Sequence, residues 1–430
     1  MNSIYEGAVK EDGRGPTVWD TFSHTSGKII DNTNADVAVD QYHLYREDID
    51  RMKDMGMDAY RFSVAWSRIF PNGTGEINQA GVDHYNNLIN ALLAKGYDVG
   101  LQAPGRCSIL NRLFCRAGNS ATEPYIVAHN VLLAHGNAAD IYRKKYQARV
   151  SVLVHSCAAR TRFIMLINIV GQLRSLGDIV ATQRAQDFQL GWFLDPVMFG
   201  DYPSSMRSRV GGRLPRFSKS EAALVKGSVD FVGINHYTTF YASNDTLNII
   251  GGLLNDSLAD SGAITLPFAI GKPTPDKLMN VLPLLFNVPA CRLCKINYVT
   301  LQANSIWLYI VPHGMRSLMN YIKLKYENPP VIITENGMDD PNNLLIPIKD
   351  ALKDQKRIKY HNDYLTNLLA AIKEDGCNVK GYFVWSLLDN WEWAAGYTSR
   401  FGLYFVDYND KLKRYPKDSV QWFKKFLASS

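Results

Sequence analysis

The chain has 430 residues, of which 46% are hydrophobic and 20% are charged, and its formal net charge is +6. This composition is typical of a globular protein, and the length suits one large α/β barrel or two smaller domains. We expect no nucleic-acid partner, because the basic residues form no long run. We expect no membrane contact either, because the longest apolar run, residues 163–170, is far shorter than the roughly 20 residues of a membrane helix.

The N-terminal part predicts a helix, a strand and a second helix, in that order. Apolar residues recur at helical spacing over residues 42–55, and Gly56 follows as a C-cap. Residues 58–66 have a strand pattern that contains Arg61, a charged side chain that needs a partner when it is buried. The second helix covers residues 78–95. This alternation is the one that a βα barrel requires.

The alternation of strands and helices fails after Gly96. A segment rich in Gly and Pro follows, and the next predicted helix begins near Thr122. Glu123 falls in the first turn of that helix, where the helix dipole favours any carboxylate, so we assign it no catalytic role. Residues 149–156 are a doubtful strand. The sequence therefore has fewer predicted strands in this region than a closed barrel needs.

The cysteines and the first residues give weaker signals. Six cysteines do not make a disulfide framework at this length, although Cys107 and Cys115 flank one short loop and could pair in an oxidising compartment. A single C-x-x-C at residues 291–294 has no second pair nearby, so we expect no metal and no cofactor. The first residues have no basic region and no apolar core, which predicts no signal peptide. As written, the chain is expected to be cytoplasmic, and secreted or vacuolar if its N-terminus is truncated.

The C-terminal half predicts three further strands, at residues 229–237, 331–335 and 381–387. Helices are predicted at residues 358–373 and 419–427. The strand at 331–335 is an unbroken β-branched run that ends in Glu335, followed by an Asn-Gly pair that we interpret as a turn. The C-terminal end of a barrel strand is where catalytic groups lie, so this glutamate is a candidate catalytic residue.

Three motifs resemble glycoside hydrolase family 1, and the plant β-glucosidases in particular. They are I-T-E-N-G at residues 333–337, N-H-Y at 235–237 and W-S-L-L-D-N-W-E-W at 385–393. The resemblance implies an α/β fold, a (β/α)8 TIM barrel, which we expect to be incomplete here because the family's first barrel strand and its acid/base region have no counterpart in the sequence. It covers residues 1–430 as a single domain, with a gap in likeness at 96/97 and segments unlike the family near 149–180 and 243–302.

The resemblance also implies roles for individual residues. Glu335 matches the catalytic nucleophile, and Arg61 and Tyr237 match the groups that lie beside it. The matched substrate-binding residues are Asn235, Trp385, Glu392, Trp393 and Phe401. The family's acid/base glutamate lies in an Asn-Glu-Pro motif that occurs nowhere in this chain, so no acid/base residue is found.

Three functions remain open at this point. The chain could be a retaining β-glucosidase that acts on small-molecule β-glucosides and is impaired by the missing acid/base. It could be a non-catalytic sugar-binding relative, or a truncated or mis-assembled gene product with no activity. The sequence leaves the aglycone and the oligomeric state undetermined.

Overall fold

The computed structural model describes residues 5–93, 119, 121–145, 165–171, 176–245, 257–266 and 301–429. Four sequence predictions lie outside these ranges. They are the junction at 96/97, the pair Cys107 and Cys115, the doubtful strand at 149–156 and the C-x-x-C at 291–294. Within the described ranges, no helix is both long enough and apolar enough to cross a membrane.

The described residues contain eleven strands, and the largest sheet combines five of them. In chain order the strands are β1 Met165–Gly171, β2 Val232–Asn244, β3 Ala263–Leu266, β4 Leu301–Gln302, β5 Tyr309–Ile310, β6 Val331–Asn336, β7 Asp340–Pro341, β8 Val379–Val384, β9 Ser399–Arg400, β10 Tyr404–Asp407 and β11 Lys413–Pro416. The large sheet has the order β1-β2-β6-β8, with all neighbours parallel, and β3 pairs antiparallel with β2. Consecutive parallel strands with helical connections are the construction of a βα barrel.

The helices of the described residues connect and cover these strands. They are α1 Val18–Ser23, α2 Gln41–Asp54, α3 Trp66–Ile69, α4 Gln79–Leu93, α5 Glu123–Lys145, α6 Leu176–Gln186, α7 Trp192–Phe199, α8 Ser204–Val210, α9 Lys219–Val225, α10 Ser257–Ser261, α11 His313–Lys325, α12 Ile348–Ala351, α13 Gln355–Lys373 and α14 Asp418–Ala428. Short 3₁₀ turns occur at Gly211–Arg213 and Trp393–Ala395, and a π-helical turn at Asp187–Gly191 joins α6 to α7.

Helix α13 shows how the sequence sets an inward face. Tyr360, Tyr364, Leu368 and Ala371 recur every three or four residues, and all four are buried. The helix lies in the connection between β6 and β8, and it brings its tyrosines to the back of those strands. This arrangement matters for the site, because Glu335 is the penultimate residue of β6.

The strand predicted at residues 58–66 is wrong. The structure has no strand there, and helix α3 already begins at Trp66. A strand pattern becomes a strand only when a neighbouring backbone pairs with it, and no described strand pairs with this segment. Side-chain contacts hold it instead, including the bond from the Ala65 amide to the Tyr85 hydroxyl at 2.8 Å.

A buried polar cluster fixes the N-terminal segment close to this extended segment. Arg68 is fully buried, and its Nε donates to Glu6 Oε1 at 2.8 Å. The Tyr85 hydroxyl donates to the same carboxylate at 3.0 Å. Burying a charged pair is tolerated only when hydrogen bonds satisfy both partners. The cluster therefore anchors the chain on both sides of residues 58–65.

The other predicted elements that fall in the described ranges are present with shifted ends. The strand predicted at 229–237 is β2, which runs on to Asn244, and the strand predicted at 381–387 is β8, which ends at Val384. The apolar run at 163–170 forms most of β1. A peptide bond in the cis form joins Trp385 to Ser386, directly after β8. The helix predicted near Thr122 is α5, and Glu123 lies in its first turn.

Candidate active site

Glu335 lies at the C-terminal end of β6 and is 5% exposed. Its Oε1 forms an ion pair with Arg61, and its Oε2 accepts a hydrogen bond from the Tyr237 hydroxyl at 2.7 Å. The structure thus brings together the three residues that the sequence placed in one group. A cation on one oxygen and a phenol donor on the other fix the orientation of this buried carboxylate.

The environment of Tyr237 favours its neutral form, which donates a hydrogen bond. Its side chain is buried on β2, next to the strand that carries Glu335. Burial raises the pKa of the Tyr237 hydroxyl well above its ordinary value of 10, and the charge of Glu335 raises it further. The phenol therefore keeps its proton at any working pH and directs it at the carboxylate.

Asn235 precedes this tyrosine by two residues and pairs in register with Glu335. Its Oδ1 accepts a hydrogen bond from the Thr334 hydroxyl at 2.7 Å. Its Nδ2 is buried and has no hydrogen-bond partner among the described residues. A buried amide donor without a partner costs free energy, so this group is suited to a ligand acceptor.

The loop after β8 brings the aromatic residues to the same end of the sheet. The Trp385 amide donates to the carbonyl of Asn336 at 2.9 Å, which ties the loop to the end of β6. Phe401 is 2% exposed, and its ring meets the Tyr237 ring edge-on at 6.1 Å between centroids. Trp393 packs on Trp19, with 4.8 Å between ring centroids.

Glu392 has an unusual environment for a carboxyl group. Burial is the main cause that raises its pKa from 4.5 to about 8, and the charges of Glu335 and Asp339 raise it further. Its Oε2 is buried and has no hydrogen-bond partner among the described residues. Glu392 and Asn235 thus offer an unused acceptor and an unused donor in the neighbourhood of Glu335, and a polyhydroxyl ligand could satisfy both.

The second acidic residue of this loop, Asp389, has a structural role. It is fully buried and accepts hydrogen bonds from Arg400 Nη1 at 2.7 Å, Lys417 Nζ at 2.8 Å and the Gly402 amide at 2.9 Å. Burial opposes ionisation, but Lys417 and Arg400 hold the pKa of Asp389 below its ordinary value. Asp389 is therefore occupied by protein groups and holds the loop in place.

The Asn-Gly pair after Glu335 does not form the turn that the sequence suggested. Asn336 continues β6, and its side chain is completely buried. Gly337 is required for a different reason, because a Cβ there would lie 1.8 Å from the Trp385 carbonyl oxygen. An Asn-Gly pair occurs both in turns and where two backbone segments approach closely, so the sequence alone could not distinguish these two structures.

A parallel sheet with a buried carboxylate, a cation, a phenol and aromatic side chains at its carboxyl edge is the arrangement of a carbohydrate-cleaving barrel enzyme. The family model described as glycosyl hydrolase family 1 matches residues 3–99 and 93–430. The chain belongs to glycosyl hydrolase family 1, and it is a glycosidase of the β-glucosidase type with an α/β fold of the (β/α)8 barrel class.

Individual relatives agree with this assignment. Beta-glucosidase 40 of Arabidopsis thaliana is 58% identical over 489 residues, which cover 99% of this chain and 90% of that protein. A crystal structure of the rice β-glucosidase Os3BGlu6 is 54% identical, with a TM-score of 0.85, and covers 98% of this chain and 95% of that one. A mutant of the same rice enzyme, in a covalent complex with glucose, superposes with a TM-score of 0.84 at the same identity and the same coverage.

Proposed function

We propose that this chain transfers the glucosyl group of small-molecule β-glucosides to Glu335, and that it lacks the general acid that the family uses for unactivated substrates. The contact of Glu335 with Arg61 and Tyr237 carries the first half of the proposal. A carboxylate held in this way is ready to attack an anomeric carbon, and the covalent glucose complex of the rice relative is consistent with that role.

The sugar would lie between the aromatic rings and the two unused polar groups. We assign its apolar face to Trp385, and its hydroxyls to Glu392 and to the amide of Asn235. Trp393 and Phe401 complete the pocket in this proposal. We propose no role for a metal, a cofactor or nucleic acid. Acceptors and donors that are buried without partners favour a ligand rich in hydroxyl groups over an apolar one.

The missing acid/base is inferred from the sequence. No Asn-Glu-Pro occurs in the chain, and the family match divides into two ranges that meet at residues 93–99, where the alternation of elements fails. The alignment with the Arabidopsis relative spans 489 residues although the chain has 430, so the relative has residues that this chain lacks. A retaining glycosidase needs a second carboxyl group about 5 Å from its nucleophile.

The consequence depends on the leaving group. A carboxylate oxygen of Glu335 bonds to C1, and the C1–O bond breaks with its electron pair on the leaving oxygen. A nitrophenolate can leave without a proton, whereas an alkoxide cannot, and general acid help is worth about 10²–10⁴ in rate. The glucosyl ester then persists, because the chain lacks the Asn-Glu-Pro glutamate that would deprotonate water.

The test compares an activated aryl β-glucoside with an alkyl β-glucoside, each with and without azide. Azide needs no deprotonation, so it should release the glucose from Glu335 as β-glucosyl azide and accelerate turnover of the aryl substrate only. The Glu335→Gln variant is the control and should be inactive throughout. Fast hydrolysis of the alkyl glucoside without azide would mean that another carboxyl group supplies the proton, which would overturn the proposed impairment. Tight glucose binding without any turnover would favour the non-catalytic relative instead.

A further inference from the structure

The side chain that follows Glu335 is fixed by three separate elements. Asn336 Nδ2 donates to the His236 carbonyl at 2.6 Å and to the Tyr360 hydroxyl at 2.9 Å, and its Oδ1 accepts from the Tyr382 hydroxyl at 2.5 Å. These partners belong to β2, α13 and β8. Both N–H groups of the amide are used, so its orientation is determined rather than free.

Helix α13 also reaches the backbone of the residue that donates to the nucleophile. The hydroxyls of Tyr360 and Tyr364 both donate to the Tyr237 carbonyl, each at 3.3 Å. The two rings stack with 4.2 Å between centroids, and the Val311 amide donates to the Tyr364 hydroxyl at 3.1 Å. The Tyr360 hydroxyl therefore accepts from Asn336 and donates to Tyr237 at the same time.

A neutral histidine completes this network. His361 is fully buried, and burial together with the charge of Arg357 lowers the pKa of its imidazole to about 3. Its Nδ1 lies 2.8 Å from the Tyr382 hydroxyl. Because the hydroxyl hydrogen of Tyr382 is already donated to Asn336, we assign the imidazole proton to Nδ1. His361 then donates to the Tyr382 hydroxyl, which donates to Asn336 at the end of β6.

We propose that Tyr360 is a positioning residue, which acts through Asn336 and Tyr237 to hold the Glu335 carboxylate in the orientation for attack. The proposal rests on the proposed role of Glu335 as the nucleophile. Its basis is that one buried hydroxyl touches both the residue after the carboxylate and the backbone of the phenol bonded to it at 2.7 Å. A catalytic group must be held within about 0.5 Å of its productive position, which requires this kind of support.

The first experiment measures covalent labelling of Glu335 by a 2-deoxy-2-fluoro-β-glucoside with a dinitrophenolate leaving group. This step needs neither a general acid nor a base, so it isolates the nucleophile. Varying the reagent concentration separates its binding constant from the rate constant of bond formation. In Tyr360→Phe we expect the rate constant to fall roughly 10-fold and the binding constant to stay unchanged, because small misplacements of reacting atoms are costly.

The matched control is Tyr202→Phe. Tyr202 is also buried, and its hydroxyl bonds to His129 Nδ1 at 3.1 Å, so this variant removes a buried tyrosine hydroxyl elsewhere. Both variants should lose thermal stability, but only Tyr360→Phe should slow labelling. Equal labelling rates in the two variants would overturn the positioning role.

A second measurement does not depend on labelling. The protein is labelled with ¹³C at the ring Cζ of tyrosine, and the Tyr237 signal is identified by its loss in Tyr237→Phe. We expect Tyr360→Phe to shift the Tyr237 signal, because the bond to Glu335 changes, and Tyr202→Phe to leave it unchanged. If the wild type is not labelled at all, the proposed role of Glu335 as nucleophile fails, and the Tyr237 signal still decides whether Tyr360 supports the bond between Tyr237 and Glu335. An unshifted signal in Tyr360→Phe would refute it.

Discussion

Replacing Glu392 with glutamine is expected to change how the stability of the protein depends on pH. The pKa of this carboxyl group is about 8 in the folded protein against 4.5 as its ordinary value. Between these values the folded protein keeps a proton that the unfolded chain has lost, so the free energy of unfolding falls as pH rises. One pKa unit corresponds to 1.36 kcal/mol, so this titration lowers the free energy of unfolding by about 5 kcal/mol over the whole range.

Glu392→Gln removes this titration and keeps the shape of the side chain. The variant should gain stability relative to the wild type as pH rises from about 5 to about 8, and the difference should level off above that. Urea unfolding at several pH values, followed by tryptophan fluorescence, measures it. Glu76→Gln is the control, since it removes one carboxylate at an exposed position. A stability difference that stays constant with pH, or that grows towards acid, would refute the reasoning.

The same titration should govern sugar affinity. Sugar hydroxyls donate hydrogen bonds to a carboxylate, so binding favours the ionised form of Glu392. Below pH 8 the affinity of the wild type for glucose should therefore rise with pH, by at most about tenfold per unit. Calorimetry at pH 6, 7 and 8 checks this, and the slope should be absent in Glu392→Gln.

Three further variants test the site and its support. Tyr237→Phe should slow labelling of the nucleophile roughly 10- to 100-fold, since a hydrogen bond to a charged group is worth about 1.5–3 kcal/mol; an unchanged rate would argue against the bond seen at 2.7 Å. Asp389→Asn should lower the free energy of unfolding by about 3–5 kcal/mol, because it leaves two buried cations unpaired. The control Asp350→Asn removes one partner of an exposed ion pair and should cost less than about 1 kcal/mol in the same urea titration. Gly337→Ala should destabilise the fold and abolish labelling, while Gly212→Ala, where a Cβ has open space, should do neither; equal melting temperatures would contradict the close approach.

The sequence predicted the position of Glu335 well, because an apolar run that ends in a carboxylate is a local pattern and its strand is local too. The family resemblance placed Arg61 beside it, yet the strand predicted around Arg61 is not formed, because strand formation depends on a distant partner. Asn336 was interpreted as part of a turn, and only the structure reveals the three elements that hold its amide. Propensity describes the chain locally, whereas these contacts join residues far apart in sequence.

The sequence also did not predict the support from helix α13. The helix at residues 358–373 was predicted, but its tyrosines were given no role, since periodicity predicts burial and gives no partner for a hydroxyl group. The structure directs the hydroxyls of Tyr360 and Tyr364 at the Tyr237 carbonyl. A pair of buried tyrosines four residues apart on a helix behind a catalytic strand is a signal that a later sequence analysis could use.

The most direct test of the central claim is the mass of the intact protein during reaction with an activated aryl β-glucoside. The account predicts that one glucosyl group accumulates on Glu335, that the adduct persists in buffer, and that azide removes it within the same experiment. Peptide mapping of the adduct identifies the residue. Rapid turnover of the substrate with no accumulated adduct, or an adduct on a different residue, would contradict a protein that has a nucleophile but no acid/base.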